Sequence, residues 1–294
     1  MTTPQAAPLR PGTVLLQKAQ LRQGLLVAGA ANALSARLIQ QLGFEAVYLS
    51  GAGITNTFYG LPDLGFIGLS DLVQHTAATR DAVDLPIIVV ADTGFGNALN
   101  VRHTVRALER AGANAIQLED QVMPKKCGHF AGKGVIAKDE MLGKIKAAVD
   151  AREHRDFLII ARTDARAVHG MDDAMERAAA FAECGADITF VEAPASIEEL
   201  RRIPRELACP QIVNVVIGGK TPTLPQTEFA AMGFGLVLYA NAALQGAVRG
   251  MTQALQHLQQ HGELREDSGL VATFEQRQAL VQKPLFDELE GRYD

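Results

Sequence analysis

The chain of 294 residues predicts a single α/β domain, a (β/α)8 barrel, and three observations carry that prediction. Eight short aliphatic and β-branched runs recur along it. They are continuous rather than alternating in polarity, as strands covered on both faces are. Segments with helical apolar spacing separate them, and several of these end in glycine just before the next run. Eight strand–helix units at this spacing close into a barrel, a fold that takes about 250 residues.

In chain order the runs are "LLVAGA" from Leu25, "AVYLSG" from Ala46, "IIVVAD" from Ile87 and "AIQLED" from Ala115. They continue with "FLIIARTD" from Phe157, "ITFVEA" from Ile188, "IVNVVI" from Ile212 and "LVLYAN" from Leu236. Helical periodicity marks 99–113, 138–154 and 172–186, and Gly43, Gly112, Gly185 and Gly233 are the expected C-terminal caps. A doubly wound sheet fits less well: it calls for a GxGxxG turn, whereas "GAGITNTFYG" has the wrong spacing and no acidic partner at the usual distance. Residues 1–13 read as a short N-terminal extension. After the eighth run come a helix near 242–261 and another near 274–291. The segment 262–294 is thus an extra helical extension, suited to capping the barrel or to exchange with a neighbouring subunit in a homo-oligomer, a dimer or tetramer.

Composition supports one domain over 1–294: hydrophobic residues make up 48% and charged residues 21%, with no Pro/Ser/Gly-rich linker. A net charge of −5 argues against nucleic acid or an anionic membrane as partner, because both need clustered Lys and Arg. A small anionic substrate remains compatible, since an acidic protein can hold a local cationic pocket. The start, "MTTPQAAPLRPG", has neither a signal-peptide core nor a transit-peptide bias, and no apolar run approaches a membrane span, so a cytoplasmic location is expected. The three cysteines have no CxxC spacing, which suggests neither disulfides nor zinc. Cys184 and Cys209 read as packing residues, while Cys127, in "MPKKCGHF", lies among cationic neighbours.

In a parallel barrel the chemistry sits at the C-terminal strand ends. Here those ends carry Tyr48, Ser50 and Gly51, then Asp92, Glu119 with Asp120, Arg162 with Asp164, Glu192, Asn214 and Asn241. Acids and an arginine around one mouth point to a hard cation and a carboxylate substrate. Asp92 and Glu119, with Asp63 from "LPDLG", form an all-oxygen set that suits Mg2+, with Mn2+ as the alternative, although a helix cap and a turn are competing roles for Asp92 and Asp63. Arg162 offers a fork for a carboxylate, in competition with a buried ion pair to Glu192 or Asp164. "SGAG" at 50–53 aims backbone N–H groups at an anion or is a simple tight turn.

"YLSGAG", "LPDLG", "ADTGFGNALNV", "LEDQ", "PKKCGH", "ARTDA", "FVEAPA" and "GGKTP" stand in the order and spacing of the isocitrate lyase/phosphoenolpyruvate mutase superfamily. The resemblance runs from about residue 14 to 290. Through the "KKCGH" loop it is strongest to the short carbon–carbon lyase branch, the 2-methylisocitrate lyase, 2,3-dimethylmalate lyase and petal death protein type. That resemblance implies Mg2+-dependent retro-aldol cleavage of a 2-hydroxy di- or tricarboxylate to a 2-oxo acid, pyruvate or glyoxylate, and a second carboxylate. It makes Cys127 the proton donor on a mobile loop, a role that suits a thiol of ordinary pKa about 8.5. Lys125, Lys126 and His129 would stabilise the resulting thiolate, and Tyr48 joins the catalytic set. Ser50, Gly51 and Ala52 would hold the oxo-acid carboxylate, Arg162 and Glu192 the reacting end, Asn214 the other carboxylate, and Gly128 and His129 would close over the substrate. Asp92, Glu119 and Asp63 would carry the Mg2+.

Two departures stand out. Where the family reads D-A-D, this chain has Val90, Ala91 and Asp92, and "NVVIGGKTP" puts Ile217 where relatives carry an acid. Both should weaken Mg2+ binding. They keep open phosphorus–carbon chemistry on a carboxyphosphonate or phosphonopyruvate, an oxaloacetate decarboxylase-like reaction, and a non-catalytic 2-oxo-acid binder.

Overall fold

The structure, a computed structural model, describes residues 9–130 and 132–294. Eight parallel strands close into a barrel in chain order: β1 Leu25–Ala30, β2 Val47–Leu49, β3 Ile87–Val90, β4 Ala115–Glu119, β5 Leu158–Thr163, β6 Ile188–Val191, β7 Gln211–Asn214 and β8 Leu236–Tyr239. These are the eight runs of the sequence, most of them trimmed by one or two residues. The trimmed residues, such as Asp92, Asp164 and Glu192, are the polar ones that leave the ladder for the mouth. The ring closes where β1 pairs with β8, Val27 opposite Leu238.

Strand alternation sorts the side chains. Val27, Tyr48, Ile88, Val90, Ile160, Phe190 and Leu238 fill the interior, while the opposite faces pack under the helices. One helix layer is α2 Ala33–Gln41, α4 Leu69–Ala82, α5 Ala98–Arg110 and α6 Lys138–Ala151, with the short turn α3 Gly51–Ile54 after β2. The other is α7 Met171–Glu183, α8 Ile197–Glu206 and α9 Gln226–Met232. The four expected glycine caps all take positive φ, from +84° at Gly43 to +107° at Gly185, which costs glycine no Cβ clash.

The N-terminus departs from the expected extension. Helix α1, Pro11–Gln20, starts inside it with proline in its first turn, where the missing N–H is no loss. Fully buried Leu15 and Ala19 join the interior core, so α1 plugs the end of the barrel away from the mouth. At the other terminus, the helix expected over 274–291 is two, α11 Phe274–Leu280 and α12 Lys283–Tyr293, broken at Gln282 with φ +59°. With α10, Ala242–His261, they bury no residue. On α10, Val248, Met251, Leu255 and Leu258 expose one apolar face. Among the described residues no helix is long and apolar enough to cross a membrane.

Candidate active site

The mouth is built by neighbouring residues that face opposite ways. On β4, Glu119 points inward and lies beside Arg162 of β5 in the register, while Asp120 points outward. Asp120 accepts from Thr163 Oγ1 (2.8 Å), from the Asp164 N–H (2.8 Å) and from Arg177 Nη1 (3.2 Å). It thus fixes the end of β5, and burial pushes its carboxyl up to about 6. Asp92 follows β3 with φ +45°, a conformation Asp tolerates better than most, and its carbonyl accepts the Glu119 N–H at 2.9 Å. Ser50 caps α3, its Oγ accepting the Gly53 N–H at 3.1 Å, and its hydroxyl lies 3.3 Å from Asn241 Oδ1.

Arg162 spends its fork within the chain. Nε and Nη2 donate to the two oxygens of Asp164 at 2.9 and 3.0 Å, and the guanidinium stacks 5.2 Å from the Phe190 ring centre. The competing ion-pair role is therefore realised with Asp164. Only Nη1 faces the site, 3.5 Å from both Glu119 Oε2 and Glu192 Oε2. Burial disfavours the Asp164 charge, yet Arg162 and Lys133 together hold its pKa below the ordinary carboxyl value. Burial also lifts Glu119, to about 8, against the pull of Arg162 and Lys125. Tyr48 donates to Gln117 Oε1 (2.6 Å), and burial, reinforced by nearby carboxylates, keeps its phenol protonated. Three buried acceptors on chamber-lining residues, Glu119 Oε1, Glu192 Oε2 and Asn214 Oδ1, accept no hydrogen bond among the described residues. Unpaired buried acceptors are costly, which is what a site awaiting a polar ligand shows.

The cysteine loop lies closed over this mouth. Gln121 clamps it, accepting the Lys126 N–H (2.9 Å) and donating to the Lys126 carbonyl (2.8 Å). Lys133 reaches from the far side of the loop to Asp164 Oδ1 (2.6 Å) and donates to the Gly128 carbonyl. Gly128 is required by close approach: a Cβ there would stand 2.4 Å from Arg162 Nη2 and 2.5 Å from Glu192 Cγ. His129 Nδ1 accepts the Lys220 N–H at 3.0 Å, so the ring proton sits on Nε2, 3.0 Å from Glu192 Oε1 but off the N–H line. The inner chamber is narrow with the loop closed, a cavity of about 50 Å³. Beyond Cys127 and Ala52 it adjoins an outer chamber of about 590 Å³, walled by Pro62, Phe130, Val216 and Lys220.

Most expected site residues thus converge: Tyr48, Ser50, Gly51, Ala52, Asp63, Glu119, Lys125, Cys127, Gly128, His129, Arg162, Glu192 and Asn214 all line the inner chamber. Asp92 stands at its edge, against Lys125. The lysines face away from the thiol, however. Lys125 Nζ lies 2.6 Å from Asp63 Oδ1 and 3.0 Å from Asp92 Oδ1, and Lys126 Nζ donates to the Gly132 carbonyl at 3.0 Å. Burial raises the Cys127 pKa, opposed by the backbone N–H of His129 and by Arg162, so the half-buried thiol holds its proton. Ile217 also stands aside: it is 51% exposed, and Val216 takes the place at the wall. Sequence reasoning did not single out Gln117, Lys133, Val216 or Lys220. The quoted "GGKTP" contained Lys220, but Gln117 was one polar residue in an apolar run and Lys133 one charge in a loop.

The donor set does not fit a divalent cation as it stands. The ammonium of Lys125 occupies the space between two of the three expected ligands, and Val90 presents methyl groups to the chamber where the resemblance calls for an acid. Among the described residues no three His, Cys, Asp or Glu side chains converge as a metal nest.

Comparison with known proteins agrees with the geometry. The family described as phosphoenolpyruvate phosphomutase matches residues 16–259. A 2,3-dimethylmalate lyase of Eubacterium barkeri is 42% identical over 92% of this chain and 93% of its own. A 2-methylisocitrate lyase of Aeropyrum pernix is 46% identical over 87% of this chain and 82% of its own. Among solved structures, phosphonopyruvate hydrolase in complex with oxalate and Mg++ superposes with a TM-score of 0.87 at 29% identity, over 97% of this chain and 99% of that one. With the barrel, the cysteine loop and these likenesses in hand, the chain belongs to the phosphoenolpyruvate mutase/isocitrate lyase superfamily and is one of its carbon–carbon lyases.

Proposed function

We propose that this lyase cleaves a 2-hydroxy di- or tricarboxylate, of the 2-alkylmalate or 2-methylisocitrate type, by retro-aldol chemistry. The observation that carries this reading is the position of the Cys127 thiol, half-buried in a closed loop over a mouth of carboxylates and one arginine. Its pKa, raised by burial, makes it an acid at neutral pH rather than a nucleophile.

The 2-hydroxyl proton passes to the buried carboxylate of Asp92, which burial makes more basic. The C2–C3 bond breaks, C2 becomes the carbonyl carbon of the 2-oxo acid, and its electron pair enters the departing enolate. Cys127 gives its proton to that carbon. The thiolate left behind faces Arg162 and the backbone N–H of His129, and regains a proton as the carboxylate releases its own, so protons balance over the cycle. Ser50, Gly51 and Ala52 hold the oxo-acid carboxylate, Arg162 Nη1 and Asn214 the remaining anionic groups, and the Lys220 N–H orients His129 beside Glu192. The apolar walls of the outer chamber favour an alkyl group on the departing half.

The enzyme acts as a cytosolic homo-oligomer on small anionic carboxylates, a reading supported by the exposed apolar face of α10, which a second copy would cover. The test is a panel of 2-hydroxy acids followed for 2-oxo acid release. Cys127→Ser should lower kcat by about 10²- to 10⁴-fold with KM little changed. Release of no 2-oxo acid from any of them, or an equally fast serine variant, sinks the proposal.

A further inference from the structure

We infer that the ammonium of Lys125 takes the place of a divalent cation in this chain, so that its chemistry runs on an internal monovalent charge. The inference rests on the lyase reading and deepens it. Three groups meet at one spot. A Cβ built on Gly51, in the turn proposed to hold the oxo-acid carboxylate, would lie 3.6 Å from Asp92 Oδ1, 3.8 Å from Lys125 Nζ and 3.9 Å from Val90 Cγ1. The place beside the substrate's oxygens is thus shared by an acid, an ammonium and a valine.

The donor chemistry matches a lysine better than a metal. Magnesium asks for an octahedron of oxygens and is held by carboxylates that it does not share with another cation. Here Lys125 is 4% exposed, donates a hydrogen bond to Asp63 and forms an ion pair with Asp92 at 3.0 Å. Its ammonium lines the chamber, where a remaining N–H can meet an oxygen of the substrate. A dication added to the same two acids would stand within a few ångströms of the ammonium, and like charges at that distance repel strongly in a buried site. Replacement of the family's acid by Val90 removes one negative charge, the one that would have supported the larger positive charge. What remains near Gly51, two carboxylates and one ammonium, leaves a single negative charge for the hydroxyl proton to meet. Lys125 then stabilises the oxyanion as it forms, as a preorganised donor does.

The experiment uses the purified protein as it is. Mn2+ is titrated and followed by the EPR signal of the free ion, and turnover is measured in excess EDTA. Wild type should bind Mn2+ no tighter than about 1 mM, and EDTA should leave most of its turnover. Val90→Asp should tighten Mn2+ binding at least about tenfold. Lys125→Met should lose about 10²-fold or more in EDTA, while Lys125→Arg, which keeps the charge, should retain more of the rate. Circular dichroism checks that each variant is folded, and Val90→Asp decides the matter even if both lysine variants fail that check. Micromolar Mn2+ binding by wild type, abolition of its turnover by EDTA, or no gain from Val90→Asp would overturn the inference. The Mn2+ titration needs no substrate, so it remains decisive if every hydroxy acid proves inert and the lyase reading falls instead.

Discussion

The two sides of the mouth treat charge differently. On the β4–β6 side, Arg162, Asp164 and Lys133 form a closed network at 2.6 to 3.0 Å, buried against Phe190, and the cysteine loop rests on it through Gly128 and His129. On the β2–β3 side, Lys125 sits between Asp63 and Asp92, with Asp63 12% exposed and Val90 alongside. The first side spends charge on structure: it fixes where the lid lands. The second keeps its charge at the chamber wall, where a substrate can use it.

Substitutions on the two sides should therefore fail in different ways. The largest effect is expected for Arg162→Met, which strands the buried Asp164 and Glu192: urea unfolding should show a loss of about 3–5 kcal/mol. Lys125→Met should cost less stability, since water reaches Asp63, and should show itself in rate. Equal losses for the two variants would erase the distinction. Next comes Gly128→Ala. The methyl has no room above Arg162 and must lift the lid, a strain of about 1–3 kcal/mol, read as a fall in kcat/KM. The same change at Gly51, whose Cβ would meet only ordinary contacts, should be milder. If Gly51→Ala is the worse of the two, the lid does not rest where the structure has it.

The pH profile tests the thiol. Burial holds the Cys127 pKa above its ordinary value, so the donor form is complete at neutral pH and is lost only as pH rises through the folded value. Turnover should hold through mildly alkaline pH, and iodoacetamide should label Cys127 more slowly than an unfolded control. Fast labelling near neutrality would mean that the lysines do face the sulfur. The smallest effect belongs to Lys126→Ala, whose ammonium bonds one carbonyl: stability should move by no more than about 0.5 kcal/mol.

Strand positions and glycine caps were legible because each is a local matter. A run such as "LLVAGA" must be covered on both faces, and Gly112 or Gly185 ends a helix by a φ that other residues resist. The site residues were legible as a set for the same reason, since strand ends in a parallel barrel share one mouth. The α1 plug was hidden by the prolines around it, and Lys133 and Gln117 by the lack of any pattern that marks a long-range partner.

Local pattern thus determined the barrel and the residue types at the mouth. It left undecided which charge meets which. Arg162 was open to Asp164 two residues on, to Glu192 or to a substrate, and Lys125 to the neighbouring thiol or to the acids, because sequence distance does not say which way a long side chain turns. Only the closed barrel, by setting the strand ends and loops around one mouth, gave Arg162 to Asp164 and Lys125 to Asp63 and Asp92.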